Sequence, residues 1–163
     1  LPDISLTLLG GQSTELEDLL KRKPPYVRQL GHRPQTELVM HYQQAHCFVI
    51  ASIEEGMAMV QMQALACGLP LICTTNTGGE DLLRIQGSQS KDNDQDIQQF
   101  PAGFVIPIHR PDAMARCLQR LYNEPLLWER MREAALELAS SKLSWKDYGD
   151  RAISHYKTLL QQR

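Results

Sequence analysis

The chain has 163 residues, of which 42% are hydrophobic and 22% are charged. This composition is typical of a soluble globular domain that is long enough to bury a core. A formal net charge of −2 argues against a nucleic-acid-binding protein, which needs a basic face. The sequence contains neither an apolar run that could span a bilayer nor an N-terminal signal peptide, so we expect a cytoplasmic protein.

The first quarter of the chain alternates short apolar runs with amphipathic segments, as in a β-α-β-α arrangement. An opening strand ends at Gly10 and Gly11, and the chain begins within this strand and without Met. We therefore expect a domain that is truncated at its N-terminal edge and belongs to a longer protein. The predicted elements are a strand over Ile4 to Leu9, a helix over Thr14 to Arg22, a strand over Tyr26 to Leu30 and a helix over Thr36 to Ala45.

The central stretch, residues 51–81, predicts a strand-loop-helix-strand-loop unit. A strand over Cys47 to Ala51 leads into a loop that carries Glu55, and an apolar helix runs from about Met57 to Cys67. A second strand, Leu69 to Thr74, then delivers the polar turn TNTGG. Both loops follow the carboxyl ends of strands, which is where open α/β sheets bind ligands.

The remainder predicts a polar interruption and then mostly helices. Residues 86–100 are rich in Gln, Asp and Ser, so we expect a mobile polar insertion that buries too little apolar surface to become ordered. The segment 144–161 predicts a closing helix, with Ser144 and Asp147 as a capping pair. Other predicted elements are a helix over Glu80 to Ile85, a strand over Gly103 to Ile108, and helices over Pro111 to Tyr122 and Pro125 to Ser140.

Together these elements predict an α/β fold, a Rossmann-like doubly wound parallel sheet with C-terminal helices. The closing helix has an apolar stripe that we expect to be buried in this fold. The stripe consists of Trp145, Tyr148, Ile153, Tyr156 and Leu160.

The first central loop has the chemistry of a sugar-phosphate site. The first amides of a helix lack internal partners and favour anionic or hydroxyl-rich ligands. Gly56 allows close approach of the backbone, and a neighbouring carboxylate accepts hydrogen bonds from a polyol. The histidines and cysteines lack metal-ligand spacing, so we expect no metal and no cofactor.

The stretch EGMAMVQMQALACGLPLICTTNTGG closely resembles the EGFGLVxLEAMAxGxPVVATxxGG pattern of the GT-B glycosyltransferases known as group 1, or family 4. The segments LPDISLTLLGG, YVRQLG, GFVIPIHRPDAMARCLQRLYNEP and SWKDYGDRAISHYKTLL are similar to further segments of the family. The resemblance covers nearly the whole chain and implies one half of a GT-B fold.

The resemblance also implies roles for individual residues. Glu55 matches the first carboxylate of the family's E-x7-E motif, which binds donor-sugar hydroxyls, and Gln63 falls where a second Glu holds the nucleotide ribose. The backbone that receives sugar hydroxyls and donor phosphate corresponds to Gly56, Met57, Ala58, Met59 and Val60. The glycine turns that line the same cleft correspond to Gly10, Gly11, Gly78 and Gly79.

Two departures from the family pattern stand out. Met57-Ala58 replaces Phe-Gly, and Gln63 replaces the second Glu. Since hydrogen bonds to charged groups contribute roughly 1.5–3 kcal/mol and neutral ones about 0.5–1.5, the second change costs on the order of 1 kcal/mol, or nearly tenfold in affinity.

The implied function is that of the donor-binding domain of a retaining glycosyltransferase that transfers a hexose from a UDP-, GDP- or ADP-sugar. The basic residues that clasp the diphosphate and the N-terminal acceptor domain lie outside this sequence, so the fragment alone is expected to be inactive. Peripheral membrane association through that missing domain stays open. The alternatives are a catalytically degenerate sugar-nucleotide-binding or regulatory module and a GT-B sugar-nucleotide epimerase. A dinucleotide-dependent oxidoreductase is disfavoured because no GxGxxG follows the first strand.

Overall fold

The structure is a computed structural model that describes residues 4–11, 14–87 and 94–161. The chain divides into two compact units with a boundary between His41 and Tyr42. In the first unit, the strands β1 (Leu6–Leu9) and β2 (Val27–Gly31) pair in parallel. The helix α1 (Thr14–Lys21) connects them, and α2 (Gln35–Gln43) follows β2 and contains the boundary.

The second unit contains a four-stranded sheet with the order β3-β4-β6-β5. The strands β3 (Phe48–Ile50), β4 (Leu71–Thr74) and β6 (Gly103–Ile106) are parallel, whereas β5 (Gln98–Phe100) pairs with β6 in the antiparallel direction. Every residue of β4 and β6 is buried. These two strands are apolar on both faces because a parallel strand in the middle of a sheet is covered on both sides.

In the described residues of the second unit, five helices follow β3: α3 (Met59–Ala66), α4 (Gly79–Arg84), α5 (Pro111–Asn123), α6 (Pro125–Lys142) and α7 (Trp145–Gln161). Both α5 and α6 begin with proline, as predicted, because proline loses no hydrogen bond at the first position of a helix. The core forms two clusters, one around Leu65, Leu71 and Leu138 and the other around Ile72, Phe104 and Met131. The α/β class is therefore confirmed, and so is the parallel pairing of β3, β4 and β6, whereas β5 makes the sheet mixed.

The polar segment over residues 86–100 differs from its prediction at its C-terminal end. Residues 88–93 lie outside the described part of the chain. Residues 98–100, however, form β5, and Ile97 and Phe100 are buried in the core. The prediction of a mobile insertion is wrong for these residues, because two apolar side chains are sufficient to anchor a short edge strand that the polar composition concealed.

The start of β5 is joined to α5 by charged groups. Arg110 donates to Asp96 and Asp112, and Arg116 donates to Asp94 and Asp112. These hydrogen bonds hold the pKa of Asp112 well below its usual range, with the largest effect from Arg110. The network fixes residues 94–96 against the N-terminal part of α5.

The closing helix forms as predicted, but its apolar stripe is not buried. Ser144 and Asp147 cap the helix reciprocally: the Asp147 amide donates to Ser144 Oγ over 3.1 Å, and the Ser144 hydroxyl donates to the Asp147 carboxylate. No residue of Trp145–Gln161 is buried, and Trp145 and Leu160 are 77% and 72% exposed. The predicted burial of the stripe, which also includes Tyr148, Ile153 and Tyr156, is wrong for the described chain.

Candidate functional site

Two polar loops lie at the same edge of the four-stranded sheet. The first loop, residues 51–58, connects β3 to α3, and the second loop, residues 75–78, connects β4 to α4. Since β3 and β4 are parallel neighbours, their carboxyl ends meet at one edge. This edge is the usual position of ligand sites in open α/β sheets.

One side-chain and one backbone hydrogen bond hold the first loop against the end of β4 and the second loop. The Thr74 hydroxyl donates to the Ser52 carbonyl oxygen over 2.5 Å. The amide of Glu55 donates to the carbonyl oxygen of Asn76 over 2.9 Å. Asn76 adopts a left-handed backbone with φ of 68°, which asparagine tolerates better than most residues. The loops therefore run side by side as one surface.

Buried polar side chains of Thr77 and Gln61 support this surface from below. The Thr77 hydroxyl donates to the Thr74 carbonyl oxygen over 2.8 Å. Gln61 Nε2 donates to the Thr77 carbonyl oxygen over 2.6 Å, and both side chains are fully buried. Within the described ranges, Gln61 Oε1 is buried without a hydrogen-bond partner. Gln61 therefore links α3 directly to the second loop.

Gly78 at the end of the second loop and Gly79 at the start of α4 allow the chain to approach the first loop and α3 closely. A Cβ atom on Gly78, whose φ is 71°, would lie 3.1 Å from Met57 Cα. A Cβ atom on Gly79 would lie 2.3 Å from Gln61 Oε1 and 2.5 Å from Cys73 Sγ. Both distances at Gly79 are shorter than van der Waals contact, so only glycine fits there without a shift.

Glu55 presents its carboxylate to solvent at the edge of the sheet. The side chain is exposed, and its Oε2 accepts a hydrogen bond from the Ser52 hydroxyl over 2.9 Å. Because Ser52 in turn accepts a hydrogen bond from Thr74, the orientation of the Glu55 carboxylate is supported by a second layer of contacts. The second oxygen, Oε1, has no hydrogen-bond partner in the described part of the chain and is available to a hydroxyl group.

The helix α3 starts at Met59, four residues after Glu55. Ala58 precedes the helix and supplies no side-chain cap, so the first amides, beginning with Met59, have no side-chain acceptor. The first turn contains no acidic residue. These amides carry the positive end of the helix dipole and can bind an anion or a hydroxyl oxygen.

Gln63 lies one turn further along α3. Its side chain is half-buried, and its Oε1 accepts a hydrogen bond from the Tyr42 hydroxyl over 3.3 Å. Burial raises the pKa of Tyr42, and Cys67 raises it further, so the hydroxyl stays protonated. Tyr42 was not among the predicted site residues, because nothing in the local sequence of α2 indicates that this residue contacts α3.

The structure brings most of the predicted site residues together. The two loops, α3 and the first residue of α4 contain Glu55, Gly56, Met57, Ala58, Met59, Val60, Gln63, Gly78 and Gly79. Gly10 and Gly11 follow β1 in the first unit, where the Gly10 amide donates to the Gly31 carbonyl oxygen over 3.0 Å, and their place in the same cleft stays a prediction. The supporting residues Ser52, Thr74 and Thr77 were not predicted individually, although the polar turn TNTGG indicated the second loop.

Within the described ranges, no helix has both the length and the apolar character that crossing a membrane requires.

Comparison with known proteins places this chain in a family. Residues 1–124 match the family of glycosyl transferases group 1. The D-inositol 3-phosphate glycosyltransferase of Thermobifida fusca is 29% identical over 150 residues, which cover 92% of this chain and 30% of the relative. This chain therefore spans less than two thirds of that protein.

Solved structures share the fold. A sucrose-phosphate synthase from Thermosynechococcus elongatus superimposes with a TM-score of 0.73 at 19% identity, over 98% of this chain and 39% of that structure. The Anabaena protein HepE, solved in complex with UDP, gives a TM-score of 0.71 at 15% identity, over 97% and 42% respectively. The chain belongs to the group 1 glycosyltransferases and has their GT-B, Rossmann-like architecture.

Proposed function

We propose that this chain is the nucleotide-sugar donor-binding domain of a retaining glycosyltransferase that transfers a hexose to an acceptor bound elsewhere in a longer protein. The observation that carries the proposal is the surface formed by the two loops, which presents the exposed Glu55 carboxylate and leads into the uncapped start of α3. A carboxylate can accept hydrogen bonds from sugar hydroxyls, and the amides can stabilise a phosphate. A sugar nucleotide presents both groups close together.

The relatives support a nucleotide ligand. HepE, which shares the fold, was solved with UDP, and the relative from Thermobifida fusca is a glycosyltransferase. We infer that a UDP-, GDP- or ADP-sugar places its sugar near Glu55, its phosphates near the amides that follow Gly56, and its ribose near Gln63. Gly10, Gly11, Gly78 and Gly79 are proposed to line the cleft.

The acceptor is assigned to a domain outside this chain. The chain covers 30% and 35% of the lengths of two of its glycosyltransferase relatives, which leaves room for a second domain. The exposed apolar stripe of α7 supports such a partner, because contiguous apolar surface is normally covered. In this proposal the departing nucleoside diphosphate is stabilised by amides at α3 and by basic groups of the longer protein.

Isothermal titration of the chain with UDP, GDP, ADP and the matching sugar nucleotides tests the proposal. We expect one base to be preferred and the sugar to tighten binding. Glu55→Ala should weaken binding of the sugar nucleotide by about tenfold or more, because a hydrogen bond to a charged group contributes roughly 1.5–3 kcal/mol. Binding of the nucleoside diphosphate alone should change little.

Glu54→Ala is the matched control, since Glu54 is also an exposed carboxylate of the first loop but has no assigned ligand contact. Equal losses in the two variants would contradict a specific role for Glu55. If the longer protein binds the donor but neither hydrolyses nor transfers the sugar, the degenerate binding module is the correct function. The replacement of Glu by Gln63 is the observation that favours that second candidate.

A further inference from the structure

Tyr42 occupies a fixed position beside α3. Its ring is buried, and it packs edge-on against Phe48 with ring centroids 5.9 Å apart and an interplanar angle of 79°. The hydroxyl reaches Gln63 Oε1 at 3.3 Å. Because the ring is held by packing within the second unit, the position of the hydroxyl oxygen is fixed and only its hydrogen can rotate.

The Tyr42 hydroxyl acts as a donor in this pair. A reversed Gln63 amide would make the tyrosine oxygen the acceptor and would leave its O–H without an acceptor among the residues described. An unpaired buried donor is costly. Burial also raises the pKa of Tyr42, so the proton that makes this hydrogen bond is retained at neutral pH.

This hydrogen bond distinguishes the two ends of the Gln63 amide. The carbonyl oxygen faces Tyr42, whereas Nε2 has no hydrogen-bond partner in the part of the chain that the structure describes. A glutamate at this position would have two equivalent oxygens and could only accept hydrogen bonds. The amide nitrogen can only donate them.

We propose that Tyr42 is a positioning residue that makes Gln63 a hydrogen-bond donor to the bound nucleotide, so that the ribose hydroxyl at this position is held as an acceptor. This inference rests on the proposed function, because it assumes a nucleotide in the site. In this proposal Gln63 donates a hydrogen bond to the ribose, whereas a carboxylate at the same position would accept one.

The asymmetry of the amide makes the role of Tyr42 measurable. With Gln63, loss of the Tyr42 hydroxyl frees the amide to turn and present its oxygen. With glutamate at position 63, the two oxygens are equivalent and the orientation no longer depends on Tyr42. If Tyr42 had a purely structural role, its substitution would instead change the affinity for every ligand by the same factor, with either glutamine or glutamate at position 63.

The test is titration with UDP, GDP and ADP, each compared with analogues in which the 2′ or the 3′ hydroxyl is removed or replaced by an ammonium group. The ammonium group donates hydrogen bonds but cannot accept them. The proteins are the natural chain, Tyr42→Phe, Gln63→Glu and the double variant. Tyr42→Phe keeps the ring and its packing on Phe48, and Gln63→Glu is a second variant that does not alter the buried ring.

In the natural chain, removal of one of the two hydroxyls should weaken binding by roughly two- to tenfold, as expected for one neutral hydrogen bond. Its replacement by ammonium should weaken binding further. Tyr42→Phe should bind the ammonium analogue several-fold more tightly than the natural chain does, because the Gln63 amide can now turn and present its oxygen. Gln63→Glu should bind the ammonium analogue more tightly than the parent nucleotide, and adding Tyr42→Phe should not change that preference.

The inference would be overturned, and the proposed function left intact, if the natural chain and Tyr42→Phe had the same ratio of affinities for the parent nucleotide and the ammonium analogue. It would also be overturned if removing the 2′ hydroxyl and removing the 3′ hydroxyl each left the affinity of the natural chain unchanged. Failure of the natural chain to bind any of the parent nucleotides would instead overturn the proposed function, and this inference with it.

Discussion

The helices α3 and α7 show how differently two apolar segments of one unit are used. In α3, apolar residues occur on nearly every side, and Ala64 and Leu65 are completely buried. In α7, the apolar residues form a well-defined stripe, yet no residue of the helix is buried. A stripe shows that a helix suits a partner, but it does not show that the partner is in the same segment of chain.

The two helices therefore depend on different interactions. The stability of α3 comes from packing against the core and against α6, since Leu65 of α3 and Leu138 of α6 belong to one buried cluster. The stability of α7 comes from local features, including the Ser144–Asp147 cap and the Lys146–Asp150 ion pair at 2.9 Å. Exposed pairs of this kind contribute little individually.

Leu65→Ala should have the largest effect. Removing a fully buried leucine side chain costs about 2–5 kcal/mol of unfolding free energy, from lost transfer energy and the cavity left behind. Leu160→Ala on α7 should change this free energy by less than about 0.5 kcal/mol, since the side chain is exposed. Urea denaturation of both variants makes the comparison, and equal losses would show that α7 is buried in solution.

Gly79→Ala tests the close packing between α3 and the second loop. The added Cβ would overlap Gln61 Oε1 and Cys73 Sγ, and such overpacking typically costs about 1–3 kcal/mol. Gly56→Ala is the matched control because a Cβ there meets no atom within 4 Å. Thermal unfolding of the two variants should separate them, and a tolerated alanine at position 79 would mean that the loop can move away from α3.

Ser144→Ala should destabilise α7 by about 1 kcal/mol, the usual cost of losing an N-cap side chain. Because α7 has no buried residue, the loss should appear as faster hydrogen exchange of its own amides and not in α3. Thr158→Ala removes a hydroxyl that bonds back to Ser154 within the same helix and serves as the control. Faster exchange in both helices would contradict the independence of α7.

Acid should act on α7 before it acts on α3. The hydrogen bond from Ser144 lowers the pKa of Asp147 below its ordinary value of 3.8. A carboxylate with a lowered folded-state pKa stabilises the fold above its ordinary pKa, and this stabilisation is lost as pH falls through the folded value. Hydrogen exchange between about pH 6 and pH 2 should therefore show opening of α7, after correction for intrinsic rates.

The Asp147→Asn variant should lose most of this pH dependence. The α3 segment MVQMQALA contains no ionisable side chain and supplies the internal reference. If hydrogen exchange accelerated equally in both helices as the pH falls, the acid effect would belong to the whole second unit and not to the Asp147 cap.

Much of the fold could be predicted from sequence because local signals agreed with tertiary structure. Proline marked the starts of α5 and α6, and apolar runs marked the buried strands β4 and β6. The strand β5 was missed because its three residues are mostly polar and are held by pairing with β6. This pairing joins residues that are distant in sequence, so local patterns do not predict it. Local patterns likewise do not predict that the apolar stripe of α7 is exposed in the described chain.

The candidate site was predicted to the level of its two loops. The position of Glu55 followed from a glycine-bearing turn before an apolar helix, and the family pattern supplied its expected role. The hydrogen bonds of Gln61 to Thr77 and of Tyr42 to Gln63 could not be predicted, since they join residues 16 and 21 positions apart. Such contacts depend on how helices and loops pack, which periodicity does not specify.

The short antiparallel strand β5 has a consequence for aggregation. It ends the four-stranded sheet with only three residues, and the flanking helices place Arg120 on Gln99 and Arg84 over the Phe100 ring. A long, flat, uncharged edge invites another chain to add a strand, whereas a short edge beside cationic side chains offers few unpaired groups. This end of the sheet is thereby protected against intermolecular strand addition, even though its neighbour β6 is one of the most apolar strands of the protein.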